Sequence, residues 1–240
     1  LPGHWLMCCL RPLSEQDACD VPEAALPLRK QYQDLWIGIG LDSAELGNPP
    51  EKFARVFARC KALGFRLVAH AGEEGPASYV RDALDLLQVQ RIDPGVRSEE
   101  DPLLMQRLVN EQIPLTVCPL SNLKLCVVNS LEQHNIARLL RSNAMVTVNS
   151  DDPAYFGGYI AQNYLAIAQS LKISPDELAS LARNSLISSF LPDTEKQKRL
   201  QELDDYLTNW RQTENERHRA TERDAQSAST PRSNSAQATQ

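Results

Sequence analysis

The 240-residue sequence predicts an α/β fold built on a parallel sheet. Six short apolar runs recur along the chain, and a stretch with helical apolar spacing follows each of them. The runs are apolar nearly throughout, as strands covered on both faces are. Strand-then-helix units in succession need crossover connections, and therefore parallel pairing. A doubly wound open sheet and a barrel both satisfy this pattern.

The runs lie at residues 5–10, 36–41, 66–69, 89–92, 114–117 and 145–148. Ser14 opens the first helical stretch, with Glu15 and Asp17 in its first turn. The next, over 50–63, carries Phe53, Val56, Phe57 and Leu63 at three-to-four spacing. Others are expected over 77–87, 101–111, 130–141 and 159–171. Asp101-Pro102 and Ser174-Pro175 are helix starts, a capping residue followed by proline at the first helical position. After residue 171 the strands stop, and 176–190 and 194–214 read as helices. From about 213 the chain turns Glu/Arg-rich, then Ser/Thr/Gln/Ala-rich, with too few apolar residues to offset ordering. The expected division is a folded body over 1–212 and a disordered tail over 213–240.

Composition narrows the function. Charged residues make up 23%, hydrophobic ones 42%, and the net charge is −6, so no basic footprint suggests nucleic acid or an anionic membrane. A small, weakly charged ligand fits better. The six cysteines form no CxxC pair and point to reduced thiols in a cytoplasm. The apolar run at 5–10 is too short to span a bilayer.

The candidate chemistry sits just past predicted strands, where the active sites of parallel α/β folds lie. His70 and Glu73 follow the third run in His70-Ala71-Gly72-Glu73-Glu74. Asp151-Asp152-Pro153 follows the sixth; adjacent carboxylates repel unless a cation or substrate compensates them. Imidazole plus carboxylate is a donor set that suits zinc or a similar divalent ion. Cys118 reads as a buried structural thiol. His134 reads as packing or surface, His218 lies in the tail, and His4 precedes the first strand.

The strings HAGEE, CPLSNLKLC and NSDDPAYFGGY, in this order, closely resemble the adenosine/adenine deaminase family of metal-dependent hydrolases, and its bacterial and fungal adenine deaminase branch in particular. LRPLSEQDA, GIGLDSAE and RLVAHAGEEG extend the likeness over about residues 6–171. The resemblance implies a TIM-type (β/α)8 barrel and zinc-dependent hydrolysis of adenine to hypoxanthine and ammonia. It further implies that His70 and Asp151 are zinc ligands, that Glu73 delivers a proton to ring N1, and that Asp152 orients water or binds the purine. A Glu in that role has to keep its proton near neutrality, through burial. Glu45 is expected either to fill ribose space and accept the N9–H of a free base, or to be an exposed loop residue. His70, Glu73, Asp151 and Asp152 are expected to converge on one cavity.

Three departures accompany the resemblance. The family's HxH zinc motif occurs nowhere in the 240 residues. Pro94 stands where a histidine is expected in Arg91-Ile92-Asp93-Pro94-Gly95-Val96-Arg97, and Pro12 occupies another such position. About six βα units are present, so the first two strands of the barrel are expected to be missing. Six strands of eight do not close, which leaves edges open to self-association. Two alternatives follow: a catalytically inactive scaffold with a binding role, or a deaminase of adenosine or an N6-substituted aminopurine.

Overall fold

A computed structural model of the chain describes residues 3–32 and 34–228. Its sheet holds β1 (Trp5–Leu10), β2 (Trp36–Asp42), β3 (Arg66–Ala71), β4 (Arg91–Pro94), β5 (Leu115–Val117) and β6 (Val146–Val148). Neighbours follow chain order from β1 to β6, and every pairing is parallel. A doubly wound sheet reverses its order at a switch point. Here each crossover steps in the same direction, as in a (β/α) barrel. That settles the choice the periodicity left open.

The helices are α1 (Glu15–Tyr32), α2 (Ala54–Ala62), α3 (Ala77–Asp85), α4 (Pro102–Glu111), α5 (Pro119–Lys124), α6 (Ile136–Arg141), α7 (Pro153–Phe156), α8 (Ile160–Leu171), α9 (Pro175–Ile187) and α10 (Asp193–Ala228). Helix starts follow their capping chemistry. Asp101 accepts from the Leu103 and Leu104 N–H groups at the start of α4, and Ser174 and Glu177 form a capping box on α9. Both satisfy amide donors that a helix otherwise leaves unpaired. Phe53, Val56, Phe57 and Cys60 are buried with the strand residues Ile39, Leu67 and Ile92. Each large side chain removed from water in this way contributes roughly 1.5–3 kcal/mol.

β1 departs from the expectation of burial on both faces. Trp5 is 59% and Leu10 47% exposed, whereas β6 is buried throughout. An end strand is covered from one side, and β1 has β2 as its one strand partner among the described residues.

Residues Leu1–Phe190 form one compact unit and Leu191–Gln240 a second. In the second, α10 continues as helix to Ala228, past the disorder boundary expected at about 213. The Glu, Arg, Gln and Ala that made this segment look unfoldable are also strong helix formers. Pairs one turn apart, such as Arg199 with Glu195 at 2.6 Å and Arg217 with Glu214 at 2.7 Å, add local support. The expectation for 229–240 lies outside the described residues. Among those described, no helix is long and apolar enough to cross a membrane.

Candidate active site

At the C-terminal ends of β3 to β6 the strand register brings polar side chains together. His70 pairs in register with Asp93, and Ala71 with Pro94. A cavity of about 280 Å³ opens there, lined by His70, Glu73, Asp93, Pro94, Cys118 and Asp151, with Arg91, Thr116 and Asn149 completing its wall. Such a volume suits a small ring compound. Thr116 Oγ1 donates to Asp93 Oδ1, and Arg91 Nε lies 3.4 Å from the same oxygen.

The loop after β3 is shaped around Glu45. Its two carboxylate oxygens accept the backbone N–H groups of Gly72 at 3.0 Å, Glu73 at 3.1 Å and Gly75 at 2.9 Å. Two glycines make this approach feasible. Gly72 has φ +70°, and a Cβ there would meet Val80 at 2.7 Å; a Cβ on Gly75 would sit 2.5 Å from Glu45 Oε2. Gly75→Ala is therefore expected to cost about 1–3 kcal/mol, the range for overpacking. Chemical denaturation would check it, and an unchanged midpoint would mean that the loop yields freely. Arg11, fully buried, donates to the carbonyl oxygens of His70 and Asn48 and so ties the same segment to β1.

Both expectations for Glu45 are thereby corrected. It is 2% exposed and does not line the cavity, so it is neither a loop residue in solvent nor a contact for purine N9–H. Its oxygens are already committed to backbone donors.

His70, next to last in β3, has its ring between two carboxylates. Nε2 lies 3.7 Å from Asp42 Oδ1, and Nδ1 lies 3.9 Å from Glu73 Oε2. Glu73 accepts from Asn122 Nδ2 at 2.6 Å. Burial pushes its carboxyl up to about 7; His70 opposes the rise, while Glu45 and Asp151 add to it. The proton retention expected of this residue thus has a local cause. Burial likewise raises the Cys118 thiol, helped by Asp151, Asp93 and Glu73, which leaves it a poor thiolate.

Asp151 and Asp152 part company. Asp151 adopts φ +56° just past β6, lines the cavity and accepts from Ser121 Oγ at 2.6 Å. That turn of the backbone sends the next side chain elsewhere. Asp152 is exposed, caps α7 through the Ala154 and Tyr155 N–H groups, and is not part of the cavity wall. Three of the four expected residues converge; Asp152 does not. Pro94 does reach the wall, so it occupies the site itself.

Ser121 and Asn122 escaped the sequence reading, and His134, read as packing or surface, proves buried. Ser121, Asn122 and His134 are buried at 1%, 0% and 1% exposure and support Asp151 and Glu73 from behind. The signal available was CPLSN itself: two small polar residues in a segment that starts on a proline, directly after a buried strand. Among the described residues, no group of three or more His, Cys, Asp or Glu side chains is placed to hold a metal ion.

The sequence profile of the adenosine deaminase family matches residues 3–206. The adenine deaminase of Acinetobacter baylyi is 58% identical over 203 residues, which is 85% of this chain and 60% of that protein. A crystal structure of adenine deaminase from Arthrobacter aurescens, 47% identical, matches with a TM-score of 0.82 over 85% of this chain and 62% of that one. An amidohydrolase from Burkholderia ambifaria, solved with bound zinc, shares the fold at 24% identity and a TM-score of 0.75, over 86% of this chain and 59% of that one. The chain spans about 60% of the length of the curated relatives it matches.

Proposed function

Because this chain belongs to the adenosine deaminase family, we propose that its cavity serves the zinc-assisted hydrolytic deamination of adenine to hypoxanthine and ammonia. The observation that carries the reading is the convergence of His70, Glu73 and Asp151 on one small cavity at the strand ends. The names of its relatives support adenine as the substrate.

His70 and Asp151 are the residues that would hold zinc, an imidazole and a carboxylate facing the same space. Their chemistry fits that ion, but two donors are half of the usual tetrahedral set. Zinc, when bound, supplies Lewis acidity that makes a water nucleophilic near neutral pH. The rest falls to the protein. Glu73, kept protonated by burial, can deliver its proton to a ring nitrogen as C6 loses aromaticity. Asn122 orients that carboxyl at 2.6 Å, and Ser121 orients Asp151. The protein is proposed to work in the cytoplasm, a reading supported by its six free cysteines.

A second reading has its own observation. Pro94 forms part of the cavity wall, and its ring offers neither a proton nor an acceptor there. The chain would then bind the purine with little or no turnover. The test is to add adenine and excess zinc to the protein, following binding by calorimetry and hypoxanthine by chromatography. Adenine is expected to bind, with binding lost in Asp151→Ala, and hypoxanthine to form slowly but faster in Pro94→His. Binding without product from either chain favours the second reading. No binding at all removes both.

A further inference from the structure

His134 lies outside the cavity wall, yet a continuous run of hydrogen bonds joins it to Glu73. The Ile136 N–H donates to His134 Nδ1 at 3.1 Å, so Nδ1 is the acceptor nitrogen. A neutral ring then carries its proton on Nε2, which lies 3.2 Å from Asn122 Oδ1. The amide of Asn122 is thereby fixed with its oxygen toward the imidazole and its NH2 toward Glu73 Oε1, at 2.6 Å. Flipping the amide would set two donors against each other at the imidazole and two acceptors at the carboxylate. Both His134 and Asn122 are excluded from water, so no solvent can repair a wrong orientation.

We propose that His134 is a positioning residue which, through Asn122, ties Oε1 of Glu73 and leaves Oε2 as the oxygen that acts in the cavity. With a donor already aimed at Oε1, the other oxygen, Oε2, is the one on the side of His70. Burial holds the His134 imidazole down at about 4, so the ring stays neutral through the working range and the relay keeps its polarity. Packing by itself would need no such ordering of donors and acceptors along three side chains.

The inference rests on Glu73 being the proton donor, and its test uses neither substrate nor metal. Nitrogen NMR of the unmodified protein at pH 7 should show His134 with a proton on Nε2 and a bare Nδ1. A proton on Nδ1, or on both, overturns the proposal without any mutation. Infrared spectra then report the Glu73 side-chain band, acid C=O or carboxylate stretch, identified by its loss in Glu73→Gln. That band should shift in Asn122→Leu and, in the same direction, in His134→Phe, with no further shift in the double variant. A band that moves in Asn122→Leu but stays put in a folded His134→Phe protein leaves His134 a packing residue. Absence of adenine turnover, by contrast, bears on the deaminase reading alone.

Discussion

Replacing Glu45 by alanine is expected to lower the unfolding free energy by about 3–5 kcal/mol, the usual cost of breaking a buried charge network from one side. The side chain is 2% exposed and accepts three backbone N–H groups. It is also one of the negative charges that face the buried guanidinium of Arg11. Removal leaves three donors and a cation short of partners where water cannot easily reach them, and each unsatisfied group costs about 1–3 kcal/mol. Glu45→Gln should fall between parent and alanine, because one amide oxygen still accepts while its NH2 opposes the remaining donors. Urea titration gives the stability, and hydrogen exchange at Gly72, Glu73 and Gly75 gives the local effect. A loss under about 1 kcal/mol, with those amides still protected, would show that the anchor is dispensable.

Acid should act on the same region through two opposed titrations. His134 is buried and its imidazole is pushed down from 6.5 to about 4, chiefly by burial and secondarily by Arg138. The unfolded chain therefore takes up the proton first. The stability His134 contributes is complete above pH 6.5, falls between 6.5 and 4, and is gone below that, a change of about 3 kcal/mol. Glu73 works the other way: raised from 4.5 to about 7, it binds its proton more tightly when folded, so stability rises as pH falls through that window. The parent protein is expected to show a nearly flat curve from these two groups. In Glu73→Gln the acid loss should emerge at close to its full size, and in the Glu73→Gln, His134→Phe double variant it should vanish. The same slope in both variants would mean that His134 is not the group responsible.

The loops after β3 and β6 show how far residue types alone can be read. HAGEE at the end of a buried run makes His70 and Glu73 candidates, and the adjacent carboxylates after the sixth run turn the candidates into a site. Repulsion between adjacent carboxylates picks out Asp151 and Asp152 together, and only the resemblance gives them separate roles, because side-chain type does not distinguish the two neighbours. A positive φ at Asp151 decides between them, and backbone conformation is not written in residue type. Glu45 was misread for a related reason. Its partners are main-chain N–H groups of a loop 27 to 30 residues away, and any sequence supplies those.

From sequence came the alternation of strand and helix, the strand positions to within a few residues, and the three motifs that carry the chemistry. The strands and helices depend on local periodicity and side-chain type, which the chain states directly; the chemistry of the three motifs came through their resemblance to a known family. Strand order, the divergence of Asp151 from Asp152, the burial of Glu45 and the line from His134 to Glu73 depend on which distant segments meet. Tertiary packing alone fixed them, because a hydrogen bond between residues 122 and 73 is a fact about space that neither segment encodes by itself.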